Sequence, residues 1–263
     1  NLSGECIEID RKLARSSKKM QDRRRNRRQR KKRNFLGMAA IALGVGLVMF
    51  AAVYFTAASK SANAEPGNSL AGVKVVIDPG HGGFDGGSVG VTGTVEAEIN
   101  LEISKLLQKE LEAEGAEVLM LRETDEAVAD EKQKDMEKRR ELIETSGQDV
   151  TVSIHQNRFD DPDVCGPQVF YAPGSVEGEK LARCVQESMN EALEVEKPRK
   201  QMEGNYYIVK SGAAPAVIVE CGFLSNPEEE AKLKDKKYQK EIAKAVREGI
   251  AAYLQEETGA QGI

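Results

Sequence analysis

Histidine is almost missing from this chain, with two among 263 residues. A metal site built on imidazoles therefore has at most His81 and His155, and any third protein ligand of nitrogen or oxygen type is a carboxylate. Cysteine is scarce as well. Cys6 lies before the apolar run described below, which leaves Cys165, Cys184 and Cys221, an odd number without regular spacing that describes no disulfide framework. Cys221 follows an apolar run and reads as a small core residue rather than a nucleophile. No internal repeat is visible. No Lys-Ser/Thr follows a glycine-rich turn, which excludes a phosphate-cradling loop. Basic charge is thin after Glu65, where 23 basic residues face 39 acidic ones for a net of −16, so no nucleic-acid partner is expected of that part.

The overall charge of −5 hides a strong asymmetry, because Arg11 to Arg33 holds 14 Lys and Arg against the single acid Asp22. Phe35 to Ala58 then runs for 24 residues without a charge, enough to cross a bilayer with some tilt. Together these predict that residues 1–34 are a disordered, basic cytoplasmic tail and 35–58 a transmembrane signal-anchor. Everything after Lys60 is then extracytoplasmic. The alternative is a cleaved signal peptide with Ala62-Asn63-Ala64 as its site, which would make the remainder a secreted protein. A small polar linker, 59–72, leads into one domain, 73–255, large enough to bury a core without disulfides, and a short tail, 256–263.

Inside that domain apolar runs alternate with helical spacing. Strands are expected at Val73–Asp78, Ala116–Leu121, Asp149–His155, Gln168–Tyr171, Tyr206–Val209 and Ala216–Glu220. Helices are expected at Glu96–Glu114, Ala127–Thr145 with a thin apolar face, Val176–Leu193 and Asp235–Gln255. Ser225-Asn226-Pro227-Glu228 is a further helix start, with a capping residue, a proline at the first position and acids in the first turn. The alternation predicts an α/β fold, a mixed, largely parallel central sheet flanked by helices.

Both histidines fall at the ends of such strands, His81 in VVIDPGHGG and His155 in TVSIHQN, where open α/β sheets gather ligands. Glycines at 80, 82, 83, 86, 87, 90 and 93 follow the first strand and permit close backbone approach. The turn runs into Glu96 and Glu98, either of which can fold back as the third ligand, although acids also start helices for dipole reasons alone. Glu220 closes the apolar run AVIVE. A carboxylate there is costly to bury unless paired or functional, and its functional reading is a general base for an attacking water.

Four segments in this order, DPGHGG (Asp78–Gly83), EAEINL (Glu96–Leu101), SIHQN (Ser153–Asn157) and VECGFLSNPEE (Val219–Glu229), resemble the signatures of the zinc-dependent N-acetylmuramoyl-L-alanine amidases of the AmiC-like (amidase 3) family. The resemblance covers nearly all of Val73 to Leu254. It implies that zinc is the cofactor, that His81, Glu96 and His155 are its ligands, with Glu96 chosen over Glu98, and that Glu220 is the catalytic carboxylate. Ala97 departs from the lysine common after the ligand glutamate in that family. The resemblance further implies peptidoglycan as substrate, with Asn157 a polar substrate contact and Arg139 and Arg122 structural or substrate-positioning. SIHQN, GPQVFY and KPRKQMEGNYYIVK are similar to sporulation amidases, which implies a role in the spore cortex before muramic δ-lactam formation. The connection between His155 and QVFY is too short for the long insertion that carries a blocking helix in divisome-regulated relatives. Recruitment would then fall to the anchor or to an activating or recruiting protein. Two other expectations stand beside this one, a general autolytic amidase of vegetative cells and a catalytically degenerate, membrane-anchored peptidoglycan-binding protein.

Overall fold

The computed structural model describes residues 68–260. The elements run β1 (Lys74–Pro79), α1 (Glu96–Ala113), β2 (Glu117–Met120), α2 (Lys132–Ser146), β3 (Val150–Asn157), β4 (Gln168–Tyr171), α3 (Val176–Ala192), β5 (Met202–Glu203), a 3-10 turn (Ile208–Lys210), β6 (Ala216–Phe223), α4 (Pro227–Leu233) and α5 (Lys236–Ala260). They build one six-stranded sheet in the order β2-β1-β3-β6-β4-β5. The pairs from β2 through β6 are parallel, and β4 runs antiparallel to β6. The sheet is thus mixed and largely parallel, as expected.

Alternation along the central strands divides the core between two faces. Val75, Ile77, Val150, Val152, Ile154, Val217 and Val219 point to one face and pack against α1, α3 and α5 through Ile103, Leu107, Leu181, Val185, Ile242 and Val246. Each of these helix residues is fully buried, which is worth about 1.5–3 kcal/mol apiece. The opposite face is thinner. Val76 and Ile218 cluster with Leu121, Ile143 of α2, and Ile208 and Val209 of the 3-10 turn, with Met136, Leu142, Phe170 and Ala172 partly buried against them. His155 and Glu220 keep the same alternation as Ile218 and so look out on this thin side.

Helix starts differ in how their free N–H groups are satisfied. Ser175 caps α3 by accepting from the Gly178 N–H at 3.1 Å, and the Asn226 side chain accepts from Glu228 and Glu229 ahead of α4. No side chain caps α1. Its first N–H groups, of Glu96 and Ala97, donate instead to the Ser88 and Gly86 carbonyls, so the glycine-rich segment is folded back onto the helix it precedes.

Three expectations are corrected. Tyr206–Val209 is no strand. The edge strand is Met202–Glu203, after which Gly204 turns the chain so closely that a Cβ there would run into the Tyr206 ring, and Ile208 and Val209 bury as a 3-10 turn. The second helix starts at Lys132 rather than Ala127, because Asp135 accepts from the Val128 and Ala129 N–H groups and holds them in a loop. The last helix continues past Gln255 to Ala260. Among the described residues no helix is long and apolar enough to cross a membrane, and the 35–58 run lies outside them.

Candidate active site

The sheet order places a crossover switch between β1 and β3. The chain leaves β1 toward β2 and returns on β1's other side as β3, so the two segments that follow these strands diverge and leave a crevice. His81 lies just past β1 and His155 is within β3. Glu220 sits directly beside His155 in the β3–β6 register, and a bulge follows in the next residues.

Glu96 joins the histidines because its turn folds back. Its Oε1 lies 3.0 Å from His155 Nδ1 and 3.3 Å from His81 Nε2. The same oxygen accepts from the Gln156 N–H at 3.1 Å and the Asn100 side chain at 3.3 Å, and Oε2 accepts from the Ser88 N–H at 2.8 Å. Glu98 is exposed on the outer side of α1. Close approach is enforced by glycine at two points. A Cβ on Gly80 would collide with the His155 ring, and one on Gly87, whose φ is +70°, would collide with both Glu96 and His81.

His81 itself has φ +62°, a conformation unusual for a side-chain-bearing residue, and the turn that holds it is gripped from below. Arg122 donates to the carbonyls of Pro79, Gly80, Ala97 and Thr124. Arg139 donates to Asp135 at 2.6 Å, Asp78 at 2.5 Å, Pro79 O at 2.9 Å and His81 O at 2.6 Å. Ser153 completes the cluster by donating to Asp78 at 2.6 Å. Arg139 is buried, and four of its five N–H groups grip the protein itself, so it holds the His81 turn from the floor of the cavity described below. Asn157 also faces its own backbone, accepting from the Arg158 N–H, and does not line the cavity beside the histidines.

The electrostatics separate the two glutamates. Burial alone would raise the Glu96 carboxyl, but hydrogen bonds and charge from His155 and then His81 outweigh it and hold the acid well below its usual range. Glu220 has no such support. Burial pushes it up to about 7, with His155 and His81 opposing and Glu96 reinforcing the rise, and its Oε2 is buried without a hydrogen-bond partner.

One nitrogen each of His81 and His155 and one oxygen of Glu96 lie within 4.8 Å of one another, a group that could hold a metal ion. The donor set suits it. Two imidazoles and a carboxylate converge with no Lys or Arg to balance Glu96, and Asp85 Oδ1, 3.1 Å from His81 Nδ1, fixes that ring with Nε2 turned inward. A cavity of about 300 Å³ opens beside the group, walled by Phe84, Met136, Tyr206, Tyr207, Ile208 and Ile218.

The profile of the amidase 3 family, N-acetylmuramoyl-L-alanine amidase, matches residues 75–252. The chain belongs to this family. It is 34% identical over 195 residues to the germination-specific N-acetylmuramoyl-L-alanine amidase of Bacillus subtilis, a match spanning 71% of this chain and 82% of that one. Among solved structures it is similar to the CwlD amidase from Clostridioides difficile in complex with the GerS lipoprotein, with a TM-score of 0.67 and 32% identity over 70% of this chain and 99% of that one. The catalytic domain of CwlV from Bacillus (Paenibacillus) polymyxa gives a TM-score of 0.63 at 29% identity, covering 70% and 98%. The chain is an N-acetylmuramoyl-L-alanine amidase, a hydrolase of peptidoglycan.

Asp85, Asn100 and Arg122 are the site residues that sequence reasoning missed or left without a place. Asn100 lies within the EAEINL segment and Arg122 was named by resemblance, but neither signal says what these side chains hold, and none pointed to Asp85.

Proposed function

We propose that this amidase works with zinc held by His81, Glu96 and His155, that Glu220 is its general base, and that its substrate is spore-cortex peptidoglycan. The observation that carries the mechanism is the buried, unpartnered Oε2 of Glu220 on the strand beside His155. Such an oxygen is expensive in a finished protein unless a reacting group meets it there. Bound zinc would supply a Lewis acid that polarises the scissile carbonyl and acidifies the attacking water. Glu220 takes the water proton at Oε2 and delivers it to the departing L-alanine nitrogen. Asp85 keeps His81 in one tautomer and orientation, while Arg139 and Arg122 hold its backbone against displacement. The wall of Tyr206, Tyr207 and Ile208 shields this exchange from bulk water.

The cortex reading is supported by likeness to the germination-specific amidase of Bacillus subtilis. The C. difficile amidase was solved with a lipoprotein bound, which supports a recruiting protein for this chain also, alongside anchoring by residues 35–58 with the domain extracytoplasmic. The decisive test measures zinc content together with release of free L-alanine amino termini from muropeptides. One zinc per chain and metal-dependent release are expected; metal-independent release would refute the assignment. Deleting the gene in a spore-former should remove muramic δ-lactam from cortex digests, and unchanged lactam would favour a vegetative autolysin instead.

A further inference from the structure

Charge is distributed unevenly around the cavity beside the histidines. Asp78 and Asp135 are both paired to Arg139 in the floor, and Glu220 lies at the inner end. Lys132, at the first position of α2, is the one exposed cation among the lining residues. Its side chain is 75% accessible, and Asp85 Oδ2, at 3.2 Å, is the acid it pairs with. Asp85 also faces His81 through its other oxygen, so the ammonium stands one carboxylate away from the candidate ligand group.

The wall opposite is aromatic. Tyr206 packs edge-on against Phe170 with centroids 5.3 Å apart, and the Arg140 guanidinium lies 5.5 Å over the Tyr207 ring. Phe84 and Met136 extend the apolar lining toward Lys132. A narrow apolar cleft with a single cation at its mouth suits a short peptide with an acidic group near the reacting bond. In the bond this family cuts, the glycan side carries no free carboxylate once the lactyl group is amidated, whereas the peptide side does. Its second residue is a γ-linked glutamate whose α-carboxyl is free or, in other walls, amidated. One intervening alanine spans at most about 3.6 Å, so that carboxyl lies five bonds beyond the scissile nitrogen, on the order of 6 Å from it when extended.

We propose that Lys132 is a specificity residue that reads the free α-carboxylate of the second stem-peptide residue, with the aromatic wall as the peptide's bed. The inference rests on the amidase reading above. A domain carrying a net charge of −16 from Glu65 onward repels an anionic stem, so a cation at the mouth decides whether it enters in register.

The test compares the zinc-loaded full chain with its K132A and K132R variants on two N-acetylmuramoyl-L-alanyl-D-isoglutamate substrates with the γ-carboxyl blocked as a methylamide. One has a free α-carboxylate and the other an α-carboxamide. The wild type should prefer the free acid by about fivefold in kcat/KM, the scale of one exposed ion pair. K132A should bring the two rates within about twofold, and K132R should keep the preference. Equal wild-type rates on both substrates would overturn the proposal. So would a K132A variant that lowers both rates and keeps their ratio, since Lys132 would then act only through Asp85 and His81. Hydrolysis of neither substrate by the zinc-loaded wild type would sink the amidase reading itself.

Discussion

The two halves of the site are held in opposite ways. Around His81 and Glu96 the oxygens of the turn and of the carboxylate are met by Arg122, Arg139, Asn100, Gln156 and the Ser88 N–H. Around Glu220 a buried carboxylate oxygen has nothing, and burial lifts that acid while its neighbour is lowered. On the proposed roles the contrast has a purpose: metal ligands need fixed distances, which hydrogen bonds supply, and a base that exchanges a proton needs a carboxylate free of the bonds that would make its charge permanent.

The sharpest way to break this contrast is to neutralise each glutamate in turn. Glu220→Gln should lower kcat by about 10³-fold with zinc still bound, whereas Glu96→Gln should lose the metal first. Zinc stoichiometry and turnover measured on both variants check this, and equal zinc loss from the two would erase the distinction. Removing the grip on the turn comes next. Arg139→Met leaves Asp78 and Asp135 buried without their cation and should cost about 3–5 kcal/mol in denaturant unfolding. The matching Asn157→Ala should stay within about 0.5 kcal/mol.

Asp85→Asn is subtler, because only the orientation of His81 is disturbed. Zinc affinity should fall about 10–100-fold in competition with a chelator while the fold is kept. The smallest effect is an acid limb away from the metal. Glu230 accepts from the Thr92 N–H and hydroxyl and the Thr94 N–H, and although burial would raise it, these bonds lower its carboxyl to about 2. A depressed folded-state value means that its stabilisation is complete above the unfolded value of about 4.5 and disappears as pH falls toward 2. Glu230→Gln should therefore cost on the order of 1–2 kcal/mol at pH 7 and flatten stability across that acid window, as read by urea titrations at several pH values.

What the sequence could and could not reveal follows the same division. His81 and His155 were legible because each ends a run of apolar residues, and the pattern of a buried parallel strand is local. The choice between Glu96 and Glu98 was not local, since both acids suit a helix start. What separates them is the return of the Ser88 and Gly86 carbonyls onto the first turn of α1, which leaves Glu98 outside. The sequence marks α2 only as a helix with a thin apolar face, yet it carries the buried Arg139, whose partners Asp78 and His81 lie 61 and 58 residues away. Glu229 and Glu230 read as acids favouring a helix dipole. Glu229 in fact accepts from the Phe223 and Gly166 N–H groups, and Glu230 takes the turn before α1. Tyr206–Val209 has the composition of a strand, but the β4 edge is already taken by Met202–Glu203.

The bond from Thr92 to Glu230 spans 138 residues and fastens the loop before α1 to the start of α4. A chain that has emerged only as far as β6 leaves the Thr92 and Thr94 N–H groups without their acceptor, and the segment leading into Glu96 without its last tether. Contacts of such sequence separation form late, because a long loop must close first. The approach to Glu96 is consequently among the last parts of this domain to settle as it folds.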